Sequence, residues 1–130
     1  MSIHQKHRGQ ALVEFALLIP LFIFLLFIFI DIARITASYL ELSNSVREGT
    51  RYAMVHVFDV DQIRDVVHDY APSLDHSLLS INPTRGLHQV TISASYAYYP
   101  VTPVMKLFLG SDDFLTLSVQ SSATLAPLYQ

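Results

Sequence analysis

The hydrophobic pattern separates an N-terminal apolar run from a longer region in which apolar and polar residues alternate. Every residue in 15–30 is apolar, and the run extends back to Ala11 with Glu14 as its one interruption. About 20 apolar residues cross the ~30 Å hydrocarbon core of a bilayer as an α-helix. The core helix of a soluble protein is rarely apolar on all its faces over such a length. The pattern therefore predicts a transmembrane helix over residues 10–30.

The charges that flank this run predict its orientation. Residues 1–9 carry Lys6 and Arg8 and no acidic residue, whereas residues 31–130 carry six Lys or Arg and ten Asp or Glu. Positively charged flanks stay in the cytoplasm. We therefore expect a basic cytoplasmic leader over residues 1–9 and an exported C-terminal region. The alternative is a cleaved secretory signal, whose apolar part is ~7–15 residues long and ends in small residues; this longer run lacks such an ending.

Beyond the run, apolar residues follow the spacing of a helix that buries one stripe. Asp31 and Ser45 are among the polar residues off this stripe. Its members are separated alternately by four and three residues: Ile28, Ile32, Ile35, Tyr39, Leu42, Val46, Gly49 and Ala53. This spacing predicts a helix that packs one face against another element.

The stripe and the apolar run together predict one helix over residues 12–56, with residues 31–58 as its amphipathic extension. Gly49 lies inside this helix, where glycine costs ~1 kcal/mol relative to alanine. Two interpretations follow: another element packs closely on the backbone at Gly49, or the helix gives way to a loop there.

The remaining residues, 59–130, predict a small extracytoplasmic α+β domain. Residues 59–70 have the pattern of a short amphipathic helix, for which Asp59 can cap the start. Residues 88–99 and 115–125 alternate apolar and polar, which indicates strands with one wet face in an antiparallel sheet. Residues 78–81 indicate a weaker first strand, followed by a predicted turn over residues 82–86. The fold class is therefore α+β, with the amphipathic helix covering the apolar face of the sheet.

The connection over residues 100–113 is apolar and admits two interpretations. It contains Pro103 followed by Val104, Met105 and Leu107 to Leu109. It is either a short core helix or an exposed apolar tip that docks on a partner or on the membrane surface.

Glu14 is the polar residue that carries most information. A carboxylate within a membrane costs ~2.5–3.5 kcal/mol at mid-membrane, less near the interface, and such a residue is a functional candidate. The simpler alternative is an interfacial carboxylate that reaches the headgroups. If a protease cut after Gly9, the new α-ammonium of Gln10 would lie four residues before Glu14. It could pair with Glu14 of the same or a neighbouring chain, which would favour helix association.

These residues resemble two related families. Gly-x-x-x-x-Glu-Phe at the start of a long apolar helix resembles type IV prepilins, in which a prepilin peptidase cuts after the glycine and the glutamate is the fifth mature residue. The segment RGQALVEFALL (residues 8–18), followed by Pro20, Asp31, Arg34 and then VREGTRYA (residues 46–53), resembles more closely the TadE-like pseudopilins of tight-adherence (Flp, type IVc) pilus systems.

The resemblance implies a processing site and two sets of functional residues. Cleavage would fall between Gly9 and Gln10, and Glu14 would be the pilin-type glutamate. The family motif in the helix would comprise Arg47, Glu48, Gly49, Arg51 and Tyr52.

The resemblance also implies a role, a location and partners. The chain would be a minor pilin-like membrane protein that acts in pilus assembly, with a pilin-like fold. It would cross the bacterial inner membrane once, with the N-terminus cytoplasmic and the C-terminal domain periplasmic or extracellular. Its partners would be the prepilin peptidase, other pilin-like subunits, inner-membrane assembly proteins and the lipid bilayer. The alternative is an uncleaved single-pass anchor that presents a small protein-binding domain.

Composition and the remaining side chains argue against other classes of protein. Of the 130 residues, 52% are hydrophobic, 15% are charged and none is cysteine, and the net charge is −3. These values do not fit a nucleic-acid-binding protein or a thiol enzyme. The six histidines lack metal-ligand spacing, and no nucleophile lies in a catalytic motif. We therefore expect no catalysis, cofactor, metal or small-molecule substrate.

Overall fold

The computed structural model describes residues 6–56, 58–110 and 114–125. They form two compact units: residues 6–33 with 100–110, and residues 34–56 and 58–99 with 114–125. In chain order the elements are α1 (Lys6–Val55), α2 (Val60–Asp69), a 3₁₀ turn (His76–Leu78), β1 (Leu79–Arg85), β2 (Gln89–Tyr98), α3 (Pro103–Leu109) and β3 (Leu115–Thr124). This combination of a long apolar helix and a small sheet confirms the α+β class.

The N-terminal part of α1 has the properties predicted from the apolar run. α1 starts at Lys6, earlier than expected, and Pro20 lies within it. A segment of this helix is long and apolar enough to cross a membrane. Its large apolar side chains, from Leu12 to Ile30, are largely exposed on the single chain, as expected of a surface that contacts lipid.

Three antiparallel strands form the sheet, in the order β1-β2-β3. The central strand β2 buries every second side chain, as its alternating pattern predicts. The members of that face are Val90, Ile92, Ala94, Tyr96 and Tyr98. The predicted helix over residues 59–70 is α2, and Asp59 caps it by accepting hydrogen bonds from the backbone N–H groups of Asp61 and Gln62.

The turn predicted over residues 82–86 is wrong for most of its length. β1 continues through Pro83, which pairs with Ile92, to Arg85. β1 is an edge strand, and an edge strand tolerates proline because a backbone N–H on its open side is not needed for pairing. The chain reverses later, where the N–H of Gly86 donates to the carbonyl of Gln89 at 2.7 Å.

The amphipathic part of α1 covers the apolar face of the sheet. Leu42, Val46 and Ala53 are buried in one core with residues of α2 and of the sheet. Tyr39 does not follow the prediction, because 45% of its surface is exposed. Ile35, one turn earlier, is partly buried against the same core, and Leu42, three residues later, is fully buried, so the departure within this part of the stripe is confined to Tyr39.

Two hydroxyl side chains in this part of α1 are buried instead. Ser45, which the stripe placed off the contact face, and Thr50 are at most 3% exposed. Their hydroxyls donate to the helix carbonyls of Leu42 and Val46, at 2.9 Å and 2.8 Å. Both hydroxyls are thus satisfied within the helix, which removes most of the cost of their burial.

Gly49 is the position of closest packing on this helix. A Cβ at this position would lie 2.6 Å from Cγ2 of Val67 and 3.3 Å from Cδ1 of Ile92. Val67 belongs to α2 and Ile92 to β2, and both are fully buried. The structure therefore confirms the close approach at Gly49, and the alternative of a loop boundary is wrong because α1 continues to Val55.

We expect Gly49→Ala to be coupled to the residue that it would strike. In the native chain the added methyl overpacks the core, at a cost of ~1–3 kcal/mol that offsets the ~1 kcal/mol gain in helix propensity. In a Val67→Ala background the space is free, so the same change becomes stabilising. Urea unfolding of the full chain in mild detergent micelles, followed by circular dichroism, measures the four variants of this cycle.

Asn44→Ala is the control for this cycle, because Asn44 is an exposed residue of the same helix. We expect Asn44→Ala to change the free energy of unfolding equally in the native chain and in the Val67→Ala background. If Gly49→Ala also changed stability equally in both, the contact between Gly49 and Val67 would not limit the packing.

Candidate functional site

Gly9 and Gln10 lie near the start of α1, in helical backbone. A Cβ at Gly9 would meet no atom within 4 Å. Glycine inside a helix is destabilising by ~1 kcal/mol relative to alanine, and no contact among the described residues requires it at this position. Among the described residues, internal packing therefore does not account for a glycine at this position.

Glu14 lies on an exposed apolar surface one helical turn after Gln10. Residues four apart on a helix are neighbours, with Cβ atoms ≈ 5–6 Å apart. The ion pairs found between described side chains are Glu48 with Arg51 and Asp61 with Arg64, and Glu14 takes part in neither. The apolar side chains around it, Leu12, Phe15, Leu17 and Leu18, are each more than half exposed. A carboxylate in such surroundings is available to a cation on another chain.

The motif at residues 46–53 contributes to packing more than to any exposed site. Gly49 admits Val67 and Ile92, as described above. The Tyr52 hydroxyl donates to Oε1 of Gln62 at 2.7 Å and so connects α1 with α2. The Tyr52 ring stacks on His56, with 4.0 Å between ring centroids.

The charged residues of the same motif lie at the surface. Nε of Arg51 donates to Oε2 of Glu48 at 2.7 Å, and this hydrogen bond with its opposite charge raises the pKa of Arg51. An exposed pair of this kind contributes little to stability. Arg47 is exposed. The structure thus separates the motif into packing residues, Gly49 and Tyr52, and surface charges.

Asp31 is a buried, hydrogen-bonded carboxylate whose environment the sequence pattern does not predict. It was placed off the buried stripe, yet its side chain is fully buried. Oδ1 accepts from the backbone N–H groups of Val101 and Thr102, each at 3.4 Å, and Oδ2 accepts from the Thr102 hydroxyl. The carboxylate therefore holds the start of α3. One signal in the sequence indicates a partner for Asp31: the residue directly follows sixteen apolar residues, and an unpaired charge at such a position is costly.

Two histidines of the larger unit lie together without forming a metal centre. The rings of His68 and His76 are 4.3 Å apart. Burial, and then the proximity of His76, lowers the pKa of His68, although Asp65 and Asp69 oppose the shift. Over the described part of the chain, no three His, Asp or Glu side chains form a group that could hold a metal ion.

Comparison with known proteins identifies the N-terminal part of the chain. A family model described as TadE-like protein matches residues 9–51. No curated protein and no solved structure matches the chain. The match begins at Gly9, spans Glu14 and the apolar run, and ends at Arg51 within the motif. The family resemblance is thereby confirmed for residues 9–51, about a third of the chain, which are similar to TadE-like proteins.

Proposed function

We propose that this chain is a pilin-like component of a tight-adherence pilus assembly system, cleaved by a prepilin peptidase between Gly9 and Gln10. The observation that carries the proposal is the TadE-like match starting at a glycine that no described contact requires. The protein would act by assembling with other pilin-like subunits and inner-membrane proteins, and not by catalysis.

The membrane arrangement in this proposal follows from the charges and the apolar run. Residues 10–30 cross the bacterial inner membrane, the basic leader of residues 1–9 stays in the cytoplasm, and residues 31–130 lie on the other side. A peptidase at the cytoplasmic surface would then meet Gly9 at the edge of the bilayer. The absence of a Cβ at Gly9 lets another backbone approach the scissile carbonyl closely.

Cleavage would change the electrostatics at Glu14. The mature chain would begin with the α-ammonium of Gln10, about one turn from the Glu14 carboxylate. A cation and an anion near the membrane edge are both more stable when paired, because water is scarce there. Glu14 is exposed on the single chain, so the ammonium of a neighbouring pilin-like subunit can reach it. Pairing between chains would then guide subunits into register.

We expect mature protein to begin at Gln10 in cells that carry a prepilin peptidase. Gly9→Val should abolish the shift, because the branched side chain blocks approach to the scissile carbonyl. Leu17→Val, an exposed position on the same helix, serves as the matched control and should be cleaved normally. Intact-mass spectrometry of the purified protein measures the N-terminus. An intact leader in the native chain under these conditions would favour the uncleaved anchor instead.

We expect Glu14→Gln to weaken subunit association while leaving insertion and cleavage normal. Because the chain has no cysteine, a single Leu17→Cys reports proximity to a pilin-like subunit that carries one cysteine of its own. Loss of the charge should lower the crosslinked fraction about tenfold, which corresponds to ~1.4 kcal/mol. Glu14→Asp keeps the charge and should retain most of the crosslinking.

The same measurement in a Gly9→Val background identifies the partner of Glu14. That chain keeps its leader and has no ammonium at Gln10, so Glu14→Gln should reduce crosslinking much less in a homogeneous population of uncleaved subunits. Unchanged crosslinking on Glu14→Gln in the cleaved protein would make Glu14 a tolerated interfacial charge.

A further inference from the structure

α3 presents an apolar surface that no described residue covers. Leu107 is 80% exposed, Phe108 is 71% exposed, and Val101, just before the helix, is 53% exposed. Lys106 is the one charged residue of this helix. Soluble proteins rarely leave large neighbouring apolar side chains in water unless a ligand, a partner or a membrane covers them. Of the two interpretations of the sequence, the first is right that residues 103–109 form a helix, and the second is right that Leu107 and Phe108 are exposed.

The position of α3 within its own unit indicates what covers it. The ring of Phe108 meets the ring of Phe24 edge-on, with centroids 6.2 Å apart. Phe24 lies inside the apolar run, seven residues before Asp31, which is about 10 Å along the helix axis. α3 therefore lies beside the membrane-spanning segment and not beyond its end.

A second contact holds the other end of α3 at the boundary of the run. The buried carboxylate of Asp31 accepts hydrogen bonds from the backbone of Val101 and from the backbone and hydroxyl of Thr102. Pro103 follows and has no N–H to satisfy. The N–H groups of Val101 and Thr102 and the Thr102 hydroxyl are thus paired just before α3, which lowers the cost of placing this end of the helix where water is scarce.

We propose that α3 lies in the outer-leaflet interface beside α1, with Leu107 and Phe108 inserted among the lipid acyl chains. The contact with Phe24 matches the ≈ 5–10 Å to which interfacial helices bury their apolar face. Lys106 can extend its ammonium to the headgroups. The lipid bilayer is the occupant of this surface, in addition to surrounding the transmembrane helix.

The proposal rests on the membrane anchoring proposed above, and a tryptophan scan tests the two separately. The native chain contains no tryptophan, so Phe108→Trp supplies a single fluorophore in the full chain, in vesicles of phosphatidylcholine and phosphatidylglycerol. Phe22→Trp in the apolar run is the buried reference, and Leu87→Trp, at a position that is 94% exposed, is the aqueous reference. Acyl-brominated phosphatidylcholine quenches tryptophan from the lipid, and iodide quenches it from water.

Phe108→Trp is expected to behave like the buried reference. Brominated lipid should quench it several-fold more than Leu87→Trp, and iodide several-fold less. Adding Asp31→Ala should release α3 and raise iodide quenching of Phe108→Trp several-fold, while Phe22→Trp stays lipid-quenched. Glu41→Ala, which removes a carboxylate that binds the backbone N–H of Ser73, should change neither.

Two outcomes would overturn the proposal. Strong iodide quenching of Phe108→Trp would place α3 in water, and protection from both quenchers would mean that another protein copy covers it. If Phe22→Trp stayed lipid-quenched in either case, the membrane anchor would stand and only the position of α3 would be wrong. If Phe22→Trp were itself quenched by iodide, the anchoring would fail, and α3 would have no bilayer beside it.

Discussion

The larger unit depends on the close approach of two elements to the α1 backbone at Gly49. Val67 of α2 and Ile92 of β2 both occupy the space that a Cβ would take there. The sheet has three strands and one covered face, so its core is small and each buried contact forms a large share of it. Because Gly49 has no side chain, α2 and β2 can both pack directly on the α1 backbone at this position. The buried rows of β2 and α2 then converge on one helix face.

The sequence alone presents the motif residues of the TadE-like segment as one group. The structure divides them into two kinds. Gly49 and Tyr52 are explained by contacts within the chain, to Val67, Ile92 and Gln62. Gly9 and Glu14 have no such explanation among the described side chains. A Cβ at Gly9 would meet no atom within 4 Å, and Glu14 belongs to neither of the ion pairs found between described side chains. Residues that the fold does not require are the ones best explained by partners, and here they lie on the membrane side of the segment.

Much of the fold could be predicted because it follows from local periodicity. The burial of β2, the capping of α2 by Asp59 and the buried stripe at Leu42, Val46 and Ala53 all follow from spacing alone. Periodicity does not predict the structure of a segment when that structure depends on where the segment lies in the fold. Pro83 is in a strand because that strand lies at the edge of the sheet, and a sequence does not reveal which strand is an edge.

Asp31 shows the same limit for the candidate site. Its donors are 70 and 71 residues away along the chain, so no local pattern could identify its burial. The helical state of α3 is one of two open interpretations, since a largely apolar heptapeptide that begins with proline suits a core helix and an exposed helix equally. Gly9, Gln10 and Glu14 are proposed from motif spacing, which requires no knowledge of long-range packing.

The distance in sequence between Asp31 and its donors has a consequence for how the protein is made. Ribosomes add ~5–20 residues per second, so about 4–14 s separate the synthesis of Asp31 from that of Thr102. The apolar run is therefore available for insertion well before its closing hydrogen bonds exist, and the carboxylate must stay hydrated during that interval. Synthesis of this protein therefore has a fixed order: the apolar run is made first, and the Asp31 carboxylate accepts these hydrogen bonds only once Thr102, about four-fifths of the way along the chain, has been added.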